Sequence, residues 1–179
     1  MFIYIEKFYE KPNELFEIIS KLDFKENLYG DEIKDFNMIS QGIENAFSQI
    51  VGHPISLTKD SGKFRKPYPP IHFENFDQNS IFVGFVALED TNLKTYKHKE
   101  TGFTNVFPIT DDLNTFIKDN CFNPEKWDVV ADIKLLAGNL FLIKPWIWHS
   151  LDNKLIKVFY LEKAADGDEV QVQLQQPDS

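Results

Sequence analysis

The chain has a single cysteine, Cys121, among 179 residues, so no internal disulfide can form and no thiolate zinc cluster can assemble. It has no apolar run approaching the roughly 20 residues of a membrane helix. Its opening segment, MFIYIEKFYEKP, is too short and too charged to read as a signal peptide or a span. It also lacks a basic surplus. The formal net charge is −9, which argues against nonspecific nucleic-acid binding, since that needs a positive face. These absences describe a soluble protein of a reducing compartment, expected to be cytoplasmic, with no membrane partner and nucleic acid the least expected ligand. The usage of Lys, Asn, Ile and Phe suggests a microbial or viral origin.

Core material is plentiful. The hydrophobic fraction is 42% and there are 17 phenylalanines, enough for one folded domain at this length. Residues 2 to 9 alternate loosely and read as a strand. Leu15, Ile18, Ile19 and Leu22 have helical spacing behind Asn13, a candidate N-cap. A second helical pattern runs from Asp35 to Val51, with Gly42 in its middle. Beyond residue 55 the period changes. IFVGFVAL, residues 81 to 88, reads as a strand buried on both faces. Asp111 to Lys118 reads as a short helix. Trp127 to Leu135 alternates, Leu140 to Trp148 reads as one strand, and Lys154 to Glu162 as the last. Helices first and strands after give a mainly β, α+β chain: a β-sandwich or jelly roll with a helical N-terminal layer. One domain is expected over residues 1–163. Residues 164–179 are expected to be a polar tail, either disordered or an edge strand.

The chemistry centres on His72-Phe73-Glu74. Strand alternation points His72 and Glu74 one way and Phe73 the other. His149 follows 75 residues after Glu74, sharing a face with Phe141, Ile143 and Ile147. Two imidazoles and a carboxylate make the facial ligand set of non-haem Fe(II) oxygenases, which leaves the opposite face of the metal open. Taken singly, His72 and Glu74 also fit a solvated strand end, and His149 a core histidine bonded to a carbonyl. Lys157 lies on a strand, KLIKVFYLE, that is apolar on both faces, so its ammonium is expected to be buried and to need an anion. A protein carboxylate or a bound dicarboxylate would serve. His98, in a basic stretch, reads as solvated and stands as a reserve ligand. Trp146 and Trp148 read as packing.

These motifs, in this order over residues 64 to 162, resemble the Fe(II)/2-oxoglutarate-dependent oxygenase superfamily, in the style of its phytanoyl-CoA-hydroxylase-like and small bacterial or phage members. The His-x-acid pair is His72-Phe73-Glu74, followed by the buried strand and acidic turn of FVALEDTN. The distal histidine of AGNLFLIKPWIWHS is His149, and the cation on the next strand is Lys157. Glu74 stands where Asp is commoner, Asn139 where Asp is usual, and Lys157 where Arg is commoner. The resemblance implies a double-stranded β-helix, a cupin-like jelly roll. It implies Fe(II) held by His72, Glu74 and His149, with 2-oxoglutarate as co-substrate clamped by Lys157. It also implies hydroxylation of a C–H bond in a small-molecule or side-chain substrate that the sequence does not identify. Arg65, Tyr68 and Tyr96 are further pocket candidates, Arg65 and Tyr96 as co-substrate contacts. Two other readings stand beside it. One is a cupin-type metal protein, a dioxygenase or isomerase, that does not use 2-oxoglutarate. The other is a metal-free jelly-roll module for binding or structure. A homodimer is compatible with all three.

Overall fold

The computed structural model describes residues 2–33, 36–68, 70–109 and 112–165. The expected edge strand of the tail falls outside them. The described chain forms two antiparallel sheets and three α-helices. The strands are β1 (Phe2–Ile5), β2 (Phe24–Asn27), β3 (Gly30–Ile33), β4 (Ile55–Leu57), β5 (Lys63–Pro67), β6 (Ser80–Ala87), β7 (Thr91–His98), β8 (Trp127–Leu135), β9 (Leu140–Ile143), β10 (His149–Leu151) and β11 (Ile156–Lys163). The helices are α1 (Pro12–Ile19), α2 (Ile43–Val51) and α3 (Leu113–Asn120). The larger sheet runs β1-β9-β6-β11-β5-β3-β2, with β4 pairing the end of β11, and the smaller runs β10-β7-β8.

The two sheets share one core. Val83, Phe85 and Ala87 of β6, Phe141 and Ile143 of β9, and Ile156 and Val158 of β11 meet Leu93, Leu135 and Leu151 from the smaller sheet. Each such side chain, fully buried, contributes about 1.5–3 kcal/mol. The alternate residues of the same strands, among them Phe82, Val86, Leu140, Leu142, Phe159 and Leu161, face outward and are covered by Phe47 of α2. This double burial explains why β6 reads as an unbroken apolar run. The outer side of the smaller sheet carries a third cluster, in which Tyr96, Trp127 and Trp148 pack with Phe116 and Ile117 of α3.

Several expectations shift. Lys11, not Asn13, precedes α1, and Pro12 occupies its first turn, where a missing N–H costs nothing. α2 starts only after Gly42, whose φ of 79° is left-handed. The periodicity upstream of it is therefore not one helix with the rest. The strand expected over Leu140–Trp148 breaks at Lys144–Trp148. β9 belongs to the larger sheet and β10, which begins at His149, to the smaller. Val130 of β8 has no partner where the pairing with β7 slips, which leaves Val129 and Val130 exposed. The β2–β3 hairpin, rich in charge, went unread as strand.

Candidate metal centre

The isolated bridge between His72 and His149 sets the site. The two residues exchange both backbone hydrogen bonds, His72 N–H to His149 O and the reverse, each 2.9 Å. Directly paired residues project side chains to the same side, and the two imidazole centroids lie 4.6 Å apart. Glu74 is fixed two residues on by its own N–H bond to Pro145 O, at 2.8 Å. Phe73, pointing the other way, packs edge-on against Trp148. The alternation expected of His72 and Glu74 thus holds on a segment that makes only a single bridge. His149 faces the inter-sheet core and touches the ring of Phe85.

His72, Glu74 and His149 each offer one ligand atom within 4.8 Å of the others. Glu74 and His149 are fully buried, whereas the His72 side chain retains 16% exposure. His72 Nδ1 lies 2.9 Å from Pro70 O and His149 Nδ1 2.7 Å from Ile147 O. Carbonyl oxygens only accept, so both Nδ1 atoms carry a proton and both Nε2 atoms turn inward. They face Glu74 Oε1, from 3.2 Å for His72 and 3.6 Å for His149. At 3.6 Å no hydrogen bond forms, and His149 Nε2 is buried without a partner. Burial lowers the pKa of His149, outweighing the pull of Glu74, so a proton does not relieve the arrangement. Three ligand atoms converging, with both far nitrogens tied to carbonyls, fit a cation. The nitrogen and oxygen donors are those a divalent transition metal takes.

Glu74 is held from its other side. Arg65 Nη1 donates to Oε1 at 2.8 Å, and Tyr160 Oη donates to Oε2 at 3.0 Å. Arg65 Nη2 reaches Tyr160 Oη at 2.6 Å, and its Nε reaches Glu32 at 3.5 Å. Burial opposes charge on Glu74. The guanidinium beside it, and then the imidazoles, nevertheless hold its carboxyl well below the usual range. Burial and Glu74 raise the Tyr160 hydroxyl well above its ordinary value, so it stays a proton donor. Tyr29, on the turn of the β2–β3 hairpin, lies against His72 (5.5 Å) and under Arg65 (5.2 Å), and donates to Asn75 Oδ1 at 2.8 Å. Burial, with Glu74, pushes it up to about 12.

The remaining candidates lie elsewhere. Lys157 is buried, as the sequence requires, but on the opposite face of β11 from Tyr160. Its Nζ donates to Tyr9 Oη at 2.9 Å among the rings of Tyr9, Phe64 and Phe159. Among the described residues, no anion meets it. Burial instead lowers its pKa to about 8, and aromatic faces supply the rest. The expected clamp is therefore not at the triad. Arg65 is at the triad, engaged with Glu74 and Glu32. Tyr96, the other co-substrate candidate, bonds Ser150 Oγ at 2.8 Å in the outer cluster of the smaller sheet. Tyr68 bonds Asp31 at 3.1 Å and does line a cavity with His72. His98, expected to be solvated, is buried between Phe116 and Trp127, with Thr101 and Asn120 on its two nitrogens at 3.0 Å each.

Tyr29, Tyr160 and Glu32 were missed. The signal for Tyr160 was a hydroxyl on the otherwise apolar face Ile156-x-Val158-x-Tyr160. Tyr29 had none beyond the Gly30 that follows it, whose φ of 148° and contact with Lys66 O leave no room for a Cβ.

No family model matches the chain, and no curated protein matches it. Solved structures of similar fold are known. The fold is similar to that of HygX from Streptomyces hygroscopicus with nickel, 2-oxoglutarate and hygromycin B bound, at a TM-score of 0.60 and 10% identity, over 91% of this chain and 82% of that one. HygX with nickel and 2-oxoglutarate bound is similar at a TM-score of 0.52 and 10% identity, over 91% and 83%. Among the described residues, no helix is long and apolar enough to cross a membrane.

Proposed function

We propose that the protein is an Fe(II)- and 2-oxoglutarate-dependent oxygenase of the double-stranded β-helix kind, acting on a small molecule or side chain. The observation that carries it is the convergence of His72 Nε2, His149 Nε2 and Glu74 Oε1, with the His149 nitrogen buried and partnerless. The oxygenase-like fold, shared with a protein that binds nickel and 2-oxoglutarate, supports the choice of co-substrate.

His72, Glu74 and His149 would hold the iron. Iron bound there would supply the coupling between oxidative decarboxylation of 2-oxoglutarate and insertion of oxygen into a C–H bond. The chain's own residues do the positioning. Pro70 and Ile147 carbonyls fix the tautomers of the imidazoles. Arg65 and Tyr160 orient the carboxylate and keep it ionised. Phe85, Ile147 and the inter-sheet core keep water from the buried side. With Lys157 on the other face of β11, Arg65 is the buried cation nearest the triad, and it takes the role of drawing an anionic co-substrate.

A second reading is a cupin-type metal protein without 2-oxoglutarate. The engagement of Arg65 by two carboxylates, Glu74 and Glu32, favours it. Anaerobic titration with Fe(II) and then 2-oxoglutarate separates the two. A saturable visible charge-transfer band, absent in His149→Ala, is the expected result. Iron binding without the band points to the second reading, and no iron binding refutes both.

A further inference from the structure

Two cavities flank the residues around the triad, and their chemistry differs. One, of about 730 Å³, is lined by Arg65 and Tyr160, which hold Glu74, and carries Glu32, Asp60, Lys63 and Glu162 on its walls. The other, of about 290 Å³, has His72 itself in its wall. Tyr29 and Asn75, joined by their hydrogen bond, belong to both walls and stand between them.

The smaller cavity is framed by Phe73, Ile71 and Trp148 from the chain beneath, by Leu113 and Ile117 of α3, and by Tyr29 of the hairpin turn. None of its described lining residues carries a formal charge. A charged group entering it would lose hydration, and no described lining residue is a counter-ion to replace it. His72 is the one member of the triad with any exposure, at 16% against 0% for Glu74 and His149. On the larger cavity's side, Arg65 and Tyr160 stand in front of Glu74. An approach that avoids that ion pair runs past His72, through the uncharged cavity. Its volume is near the lower end for small-molecule sites.

Building on the oxygenase reading above, we propose that this cavity takes the prime substrate and that the substrate presents an uncharged, apolar group the size of a substituted benzene ring. Polar and charged parts of the reaction belong to the Arg65 side, and Tyr29 divides the two.

The test uses three fluorinated probes of one shape: 4-fluorobenzyl alcohol, 4-fluorobenzoate and 4-fluorobenzylammonium. Binding is followed by ¹⁹F line broadening on the full chain, metal-free and then loaded with Mn(II). The neutral probe is expected to bind the metal-free protein at least tenfold tighter than either ion, and to broaden further with Mn(II), because His72 belongs to the same wall. Ile117→Trp, which fills the cavity from α3, should weaken it at least tenfold. Asn114→Asp is on the exposed first turn of α3, where a carboxylate is tolerated. It should leave the fold intact and shift preference about threefold toward the ammonium probe. Equal or tighter binding of an ionic probe, or no response to either variant, overturns the proposal. Neutral-probe binding that is unaffected by bound Mn(II) overturns its placement at the triad. If Mn(II) itself does not bind while the neutral probe does, the metal reading fails and the cavity's selectivity stands.

Discussion

Replacing Lys157 by Met tests whether this buried ammonium is a ligand-binding group or a strained structural one. Lys157 is 1% exposed and, among the described residues, has no carboxylate partner. The fall of its pKa from 10.5 to about 8 corresponds to about 3 kcal/mol held against the charged form, at about 1.4 kcal/mol per tenfold. Met keeps the apolar stem and removes that penalty. It also removes the bond to Tyr9 Oη, worth about 1 kcal/mol, while the attraction of the charged form to the ring faces is already contained in the lowered pKa. The balance at pH 7 is about 2 kcal/mol in favour of Met, or a rise in Tm of about 4–8 °C for a chain of this size.

The pH dependence is the sharper readout. The folded-state value lies below the unfolded one, so between about pH 8 and 10.5 the unfolded chain binds more protons and stability rises with pH. The parent should gain up to about 3 kcal/mol across that window relative to the Met variant, which lacks the titrating group. The two stability curves should therefore cross, with the parent ahead at the alkaline end, where the neutral amine still donates to Tyr9. Urea unfolding of both proteins at a series of pH values measures this. A Met variant that loses 3–5 kcal/mol at pH 7, as when a buried ion pair is broken, would refute the account and require an anion near Nζ. Loss of 2-oxoglutarate binding without loss of stability would restore the clamp.

Glu74→Gln should abolish metal uptake measured by elemental analysis. It should also destabilise the fold, by up to about 3–5 kcal/mol, because buried Arg65 then keeps only Glu32, at 3.5 Å, as a carboxylate partner. Tyr160→Phe removes one donor to Glu74 and the acceptor of Arg65 Nη2, so metal affinity should fall about 10- to 100-fold and stability by about 1–3 kcal/mol. His98→Ala should cost about 2–4 kcal/mol in stability, from lost packing and the unpaired Asn120, while metal affinity stays unchanged. A metal affinity that moved with His98 would mean that it ligates after all.

Much of the centre was legible because strand alternation is local. His72 and Glu74 share a side whether or not a full strand forms around them. Lys157 shows the limit of the same rule. Alternation put it opposite Ile156, Val158 and Tyr160, and both faces of β11 are apolar. Nothing local said which face looks into the core between the sheets and which looks out toward α2. The answer depends on partners distant in sequence: Tyr9, brought over Nζ by the N-terminal segment, and Phe64 of β5. Gly138 secures that segment, because its left-handed backbone lets Tyr9 dock against it, where a Cβ would come within 2.6 Å of Tyr9 O. The pairing of His72 with His149 was beyond reach for the same reason. So was the switch of sheets between β9 and β10, since Lys144–Trp148 reads as a continuing strand until the sheets are known.

The charge balance at the triad predicts an order of binding. Arg65, Glu32 and Glu74 are buried together, and with Lys63, 3.6 Å from Glu32, the two positive and two negative groups sum to zero. A dicarboxylate approaching this set meets no net attraction, and Arg65 is already engaged by two carboxylates. A divalent cation at the triad turns the sum to +2 and weakens the hold of Glu74 on Arg65, because the carboxylate then shares its charge. An anion is drawn to the set only after that step. Under the oxygenase reading, 2-oxoglutarate should therefore bind the Mn(II)- or Zn(II)-loaded protein at least tenfold tighter than the metal-free chain. The coupling should be reciprocal, with 2-oxoglutarate tightening the metal by the same factor. Calorimetric titration in both orders measures each leg of the cycle. Equal 2-oxoglutarate affinity with and without metal would mean that the anion is held away from the triad, and the electrostatic argument would fall.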